Sequence, residues 1–153
     1  MYLVTASEMQ AMDELTIESF GIPGRVLMES AGRGATRFFL DQMLVRTESS
    51  RTVGVMAGRG NNGGDGFVMA RYLAQKGIAV KVFLLAEAGQ LKGDAAANHK
   101  LLAPMGIQVA EIPNADRLAN VQSTFDQVYC WIDAILGTGI KSEVKGYYAR
   151  VID

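Results

Sequence analysis

Apolar residues recur along this chain in two rhythms, one helical and one of short continuous runs. Thr5-Ala6-Ser7-Glu8 has the spacing of a capping box, in which hydroxyl and carboxylate satisfy each other's free amides at a helix start. Met9, Met12, Thr16 and Phe20 then make one largely apolar helical face, which Gly21-Ile22-Pro23-Gly24 ends. Leu27, Ala31, Ala35 and Phe38 set the register of a second helix over 26–43, and small Ala31, Gly32 and Gly34 predict a close neighbour. Thr52-Val53-Gly54-Val55-Met56-Ala57 reads as a buried strand. Further strands are expected over 78–85, 107–112 and 127–136. Helices are expected over 65–76, stopped by Gly77, over 94–103, capped by Asp94, and over 115–125. Alternation of this kind predicts an α/β fold, Rossmann-like with three α/β/α layers. Its sheet is mainly parallel, its crossovers right-handed, and two helices lead the chain.

Length and charge narrow the picture. The 153 residues, 49% apolar and 20% charged, suit one domain over 1–153 without repeat or linker. A net charge of -1 with interspersed signs gives no reason to expect nucleic acid or a membrane surface as partner. No apolar run has spanning length and no leader pattern opens the chain, so the cytoplasm is the expected location. Cys130, the single cysteine, reads as a buried reduced thiol. His99 reads as a solvated residue and the methionines as core filler.

Two segments carry candidate chemistry. Gly58-Arg59-Gly60-Asn61-Asn62-Gly63 has G-x-G-x-x-G spacing between a strand and a helix, where free amides and the helix dipole attract a phosphate. The glycines alone could serve a sharp turn, and Asp65 could serve as an N-cap; Asn61, Asn62 and Asp65 together exceed what turning requires. Asp133 to Gly139 also follows a strand and also loosens into glycines. If the first and fourth strands are neighbours where strand order reverses, both segments face one crevice. Asp133, on an apolar strand, then calls for a cation or amide donors, and with Asn62 offers oxygens to a hard cation. Its bland reading is a carboxylate bonded to loop amides; that of Lys141 and Glu143 is a pair of solvated loop charges.

These segments are specific enough to carry a resemblance. Val55-Met56-Ala57-Gly58-Arg59-Gly60-Asn61-Asn62-Gly63-Gly64-Asp65-Gly66 and Asp133-Ala134-Ile135-Leu136-Gly137-Thr138-Gly139 resemble the two signatures of the YjeF N-terminal domain family. Met9, Asp13, Gly21-Ile22-Pro23 and Leu27-Met28-Glu29-Ser30-Ala31-Gly32 resemble its leading helices. The resemblance implies epimerisation of NADHX and NADPHX, hydrated reduced nicotinamide dinucleotides, beside a partner dehydratase and within a possible homodimer. It implies substrate binding by Asn61, Asn62, Gly63, Gly64 and Asp65 and by Gly137, Thr138, Gly139, Ile140, Lys141, Ser142 and Glu143. It further implies a potassium ion on Asn62 and Asp133. For proton transfer at C6, Glu143 is the first candidate and Asp65 the second, with Lys141 stabilising charge.

Ser142 stands where the family usually has glycine. The family also continues past the position of Asp153 into another strand and a Val-Asp-Ile-Pro-Ser-Gly motif, so the domain is expected to be incomplete here, with an exposed apolar sheet edge. Two other functions share parts of the pattern. A dinucleotide-binding oxidoreductase would use Glu87, 24 positions after Gly63, to hold a ribose. A non-catalytic binding or scaffold module would keep the fold without the chemistry.

Overall fold

The apolar run beginning at Thr52 lies at the centre of the sheet. In the computed structural model, which describes residues 3–43, 52–140 and 143–152, Thr52–Ala57 is strand β1. Strand β2 (Val80–Leu84) pairs with it on one side and β4 (Val128–Ala134) on the other, while β3 (Gln108–Glu111) lies outside β2. All three pairings are parallel. The chain steps outward from β1 to β3 and then returns across β1 to β4, so strand order reverses between β1 and β4.

Among the described residues, six α-helices accompany this sheet: α1 (Ala6–Glu18), α2 (Gly24–Met43), α3 (Asn61–Gln75), α4 (Gly93–Lys100), α5 (Ala115–Val121) and α6 (Tyr147–Ile152). Successive residues of β1 point to opposite faces. Val53, Val55 and Ala57 join a core with Phe39, Phe67, Leu73 and Leu102 under α2, α3 and α4. Met56 joins Phe83, Leu85, Ile112 and Ile135 under α5, Phe125 and α6. Two buried faces make the three layers that the strand and helix alternation predicts. Arg71 of α3 donates to Glu29 of α2 and to Asn98 of α4, tying three helices together through one guanidinium.

The structure departs from the sequence reading in phase more than in content. Helix α2 buries Met28, Gly32, Thr36 and Phe39, one position on from the expected stripe, and leaves Phe38 67% exposed. Thr36 is tolerated inside because its hydroxyl donates to Gly32 O at 2.7 Å. Gly32 faces α3 at close quarters, since a Cβ there would sit 2.5 Å from Val68; Gly34 has open space around it. Helix α1 has the expected capping box, Thr5 N donating to Glu8 at 2.7 Å, yet buries none of its residues, and Met9, Met12 and Phe20 are exposed.

Boundaries move as well. Helix α3 begins at Asn61, so Gly60 is its N-cap and Asp65 lies inside the second turn rather than capping it. Lys92, not Asp94, precedes α4, and a 3-10 turn at Ala103–Met105 follows it separately. Helix α5 stops at Val121 and continues as 3-10 helix over Gln122–Gln127. Helix α6 had no counterpart in the sequence reading. Cys130 is only half-buried, and that burial raises its pKa. His99 is part-buried edge-on against Phe67, with its pKa lowered by desolvation, rather than solvated.

Candidate functional site

Where strand order reverses, the loops leaving β1 and β4 come into direct contact. Gly58 N donates to Ala134 O at 3.0 Å, and Asn62 Nδ2 donates to Leu136 O at 3.1 Å. Two glycines are required by this approach. A Cβ on Gly58 would lie 2.0 Å from Ile135 O, and one on Gly63 would lie 1.9 Å from Gly58 O. The G-x-G-x-x-G spacing therefore serves backbone packing first, and what it packs is the mouth of a crevice.

That mouth opens on a crevice of about 1070 Å³, at the upper end of what small-molecule and cofactor sites occupy. Arg59, Gly60, Asn61, Asn62 and Asp65 line it from the β1 side, and residues 135–140 line it from the β4 side. Glu143, Val144, Lys145 and Tyr148 add a third wall, and Leu85, Gln90 and Pro113 a fourth beyond β2 and β3. Gly60 supplies no side-chain cap to α3, so the first-turn amides are open to an anion. Gly63 and Gly64 are buried beneath this surface rather than exposed on it.

The two segments singled out in the sequence thus meet. Glu143 lies in the crevice, largely exposed and paired with Lys145 at 3.1 Å. Lys141 and Ser142 lie outside the described residues. Asp133 is exposed on β4 and does not line the crevice; its Oδ1 accepts from Ile135 N at 2.9 Å, the loop-amide arrangement that was its bland reading. Among the described residues there is no cluster of three or more His, Cys, Asp or Glu that could hold a metal. Glu87 does not line the crevice either, which removes the ribose-binding acid an oxidoreductase reading needs.

Asp65 is the electrostatically unusual group. Burial first, and the charge of Asp13 second, push its pKa up to about 6. Asp13 and Gln10 come from α1 and line the crevice, three residues apart on one helix face. Sequence reading used Asp13 only for resemblance and passed over Gln10, because neither stands out among the other polar residues of α1, Ser7, Glu8, Glu14, Thr16 and Glu18. Tyr148 was also missed. Its hydroxyl donates to Leu85 O at 3.3 Å while Tyr147 donates to Ile112 O, which clamps α6 over the ends of β2 and β3.

This geometry agrees with what the chain is similar to. The family model for the YjeF-related protein N-terminus matches residues 24–153, which takes in both loops and every wall except that from α1. The chain belongs to the YjeF N-terminal family. Among YjeF relatives, an NAD(P)H-hydrate epimerase from Rhodopirellula baltica is 35% identical across 98% of this chain and 58% of its own length. One of the same name from Elusimicrobium minutum is 34% identical across 100% of this chain and 68% of its own. A bifunctional NAD(P)H-hydrate repair enzyme from Moorella thermoacetica is 38% identical over all of this chain but only 29% of that protein. The YjeF fold is shared with yeast ynu0, YNL200c, whose crystal structure superposes with a TM-score of 0.81 at 25% identity over 99% of this chain and 63% of that one. The chain thus spans between 29% and 68% of the length of these relatives. No described helix is long and apolar enough to cross a membrane.

Proposed function

We propose that this chain binds the hydrated dinucleotides NADHX and NADPHX and interconverts their R and S forms at C6 of the nicotinamide ring. The observation that carries the reading is the crevice between β1 and β4, where the two signature segments form facing walls around Asp65. Family relatives named NAD(P)H-hydrate epimerase support the same substrate. The open amides at the start of α3 suit the pyrophosphate of such a ligand.

Carbon C6 carries a hydroxyl and is bonded to the ring nitrogen, so its configuration inverts when the C–O bond breaks and re-forms on the opposite face, with proton transfer to and from the oxygen. Protonating the hydroxyl lets it depart as water with the C–O electron pair, and the nitrogen lone pair shares the charge left on a planar C6. Water added to the opposite face returns a proton and completes the inversion, with nothing oxidised or consumed. Asp65, with a pKa near 6, has both protonation states available near neutral pH and is suited to give and take that proton. Glu143 and Lys145, exposed at the rim, meet the substrate's polar groups; Glu143, first in the sequence reading, becomes the second proton-transfer candidate behind Asp65.

Potassium fits the donors only in part. Asn62 has its amide nitrogen engaged by Leu136 O, and Asp133 has one oxygen engaged by Ile135 N. Each leaves one hard oxygen of the class such an ion takes, too few to complete its shell without carbonyl or ligand oxygens. An ion held by Asn62 and Asp133 would supply positive charge beside the dinucleotide. A dehydratase acting on the S form, a homodimer and a cytoplasmic location complete the proposal.

The test is an NMR assay of R to S exchange in NADPHX with potassium present, on the full chain and on Asp133→Ala. Exchange above the spontaneous rate, reduced at least about tenfold in the variant, is expected if the ion matters by about 1.4 kcal/mol or more. Exchange at the spontaneous rate in the unaltered protein would overturn the reading.

A further inference from the structure

At the ends of β2 and β3 the crevice changes its chemistry. Leu85, Gln90 and Pro113 line it there, and Tyr148 joins them from α6; none of the four is charged. We infer that this end is a subsite for a neutral planar base, the adenine of the dinucleotide. Tyr148, Leu85 and Pro113 pack on the ring, and the Gln90 amide donates to one of its nitrogens. The inference rests on reading the crevice as a site for a hydrated nicotinamide dinucleotide.

Hydrogen bonds bring these residues together from separate elements. Leu85 N donates to Ala57 O at 2.8 Å and Ile112 N to Leu84 O at 2.8 Å, which sets the chain leaving β2 between those leaving β1 and β3. Tyr148 donates to Leu85 O at 3.3 Å and Tyr147 to Ile112 O, so both phenols fix α6 at this spot, beside Pro113. Ala88 N donates to Glu111 at 3.0 Å, drawing the 3-10 turn Ala88–Gln90 to the end of β3. Within that turn Gln90 Oε1 accepts from Glu87 N at 3.3 Å, and the Gln90 NH2 group has no partner among the described residues.

The phenol proton of Tyr148 is already committed, so what this residue offers a ligand is its ring. One aromatic and two aliphatic side chains make a surface on which a base packs, and a single amide supplies the donor that a ring nitrogen accepts. Strand order fits the same assignment. Strand β1 lies between β2 and β4, so the open amides at the start of α3 put a pyrophosphate in the middle of the ligand. From β3 to β4 there are three strand spacings, about 14 Å in all, with room for a ring on either side of that centre. The nicotinamide then lies toward the β4 loop and the adenine toward β2 and β3.

The test is calorimetric binding of two probes to the full chain. ADP-ribose carries the adenine and no nicotinamide; reduced nicotinamide mononucleotide carries the nicotinamide and no adenine. Tyr148→Ala is expected to weaken ADP-ribose about tenfold, the size of one lost base–aromatic stack, and to leave the mononucleotide within about twofold. Tyr148→Phe, which keeps the ring and loses the bond to Leu85 O, should restore ADP-ribose binding. Gln90→Glu keeps an oxygen for Glu87 N and removes the donor, and should weaken ADP-ribose about fivefold. Gln90 is exposed, so this variant reads the subsite even where Tyr148→Ala does not fold. Equal weakening of both probes overturns the inference, as does unchanged ADP-ribose affinity in Tyr148→Ala or Gln90→Glu. A loss in Tyr148→Phe as large as in Tyr148→Ala also overturns it, since Tyr148 would then be a clamp for α6 alone. If NADPHX exchange is absent while ADP-ribose binding follows Tyr148, the epimerase reading fails and the subsite stands. If exchange is present and ADP-ribose ignores Tyr148, the subsite fails and that reading stands.

Discussion

The loops after β1 and β4 and the helix α1 line the same crevice but are held there by different forces. The loops are fixed by backbone: Gly58 and Gly63 sit where a single extra carbon would collide with a carbonyl, and Asn62 stitches one loop to the other. Helix α1 is held by its capping box and by contact with α2, without one buried side chain. A 13-residue helix of this kind is marginal by itself. The difference separates two tasks. The locked loops set the shape of the crevice, and the lightly held helix changes the charge felt by Asp65 while burying none of its own residues.

The comparison sharpens fastest under substitution of what is locked. Phe39→Ala, in the buried phase of α2, should cost about 3–5 kcal/mol in chemical denaturation, whereas Phe38→Ala one residue away should stay within about 0.5 kcal/mol. Equal costs would mean the helix is not phased as described. Gly63→Ala should cost about 3 kcal/mol because the new methyl meets Gly58 O, and it should abolish dinucleotide binding in calorimetry even where the protein still folds.

Asp65 should produce a smaller effect of opposite sign. Its folded pKa of about 6 stands above the ordinary 3.8, so the folded state holds more protons than the unfolded one between those values. The stability contributed by this group is therefore fully present below about pH 4 and is lost as pH rises through about 6. Asp65→Asn should raise stability at pH 7.5 by about 1 kcal/mol, discounted for half exposure, which is about 2–4 °C in melting temperature. It should change nothing at pH 3.5, and a shift of equal size at both pH values would count against the assignment. Smallest of all, Met12→Gln on α1 should alter stability by less than about 0.5 kcal/mol, since that side chain is already 54% exposed.

Much of this was legible in the order of residues. Short apolar runs bounded by glycine marked all four strands, and the glycines after β1 and β4 marked both site loops, because a tight turn and a close backbone approach leave a compositional trace. The α2 phase was misread because Leu27, Ala31, Ala35 and Phe38 look more apolar than Met28, Gly32, Thr36 and Phe39. What decides burial there is room for α3 and an internal acceptor for Thr36, neither of which periodicity records. A cap was one of the readings open for Asp65, because a carboxylate near a helix start often is one; Gly60 holds that position instead.

By itself the sequence determined the class of fold, the parallel arrangement and the two segments that carry the site, since each depends on local pattern and on rules of connection that hold for any chain. Only the tertiary structure decided that β1 and β4 are neighbours, that α1 returns to set Asp13 in the crevice with Asp65, and that Asp133 caps its own loop. Those depend on through-space distance, and the electrostatics of a carboxylate follows its neighbours in space and its loss of water, not its neighbours in the chain.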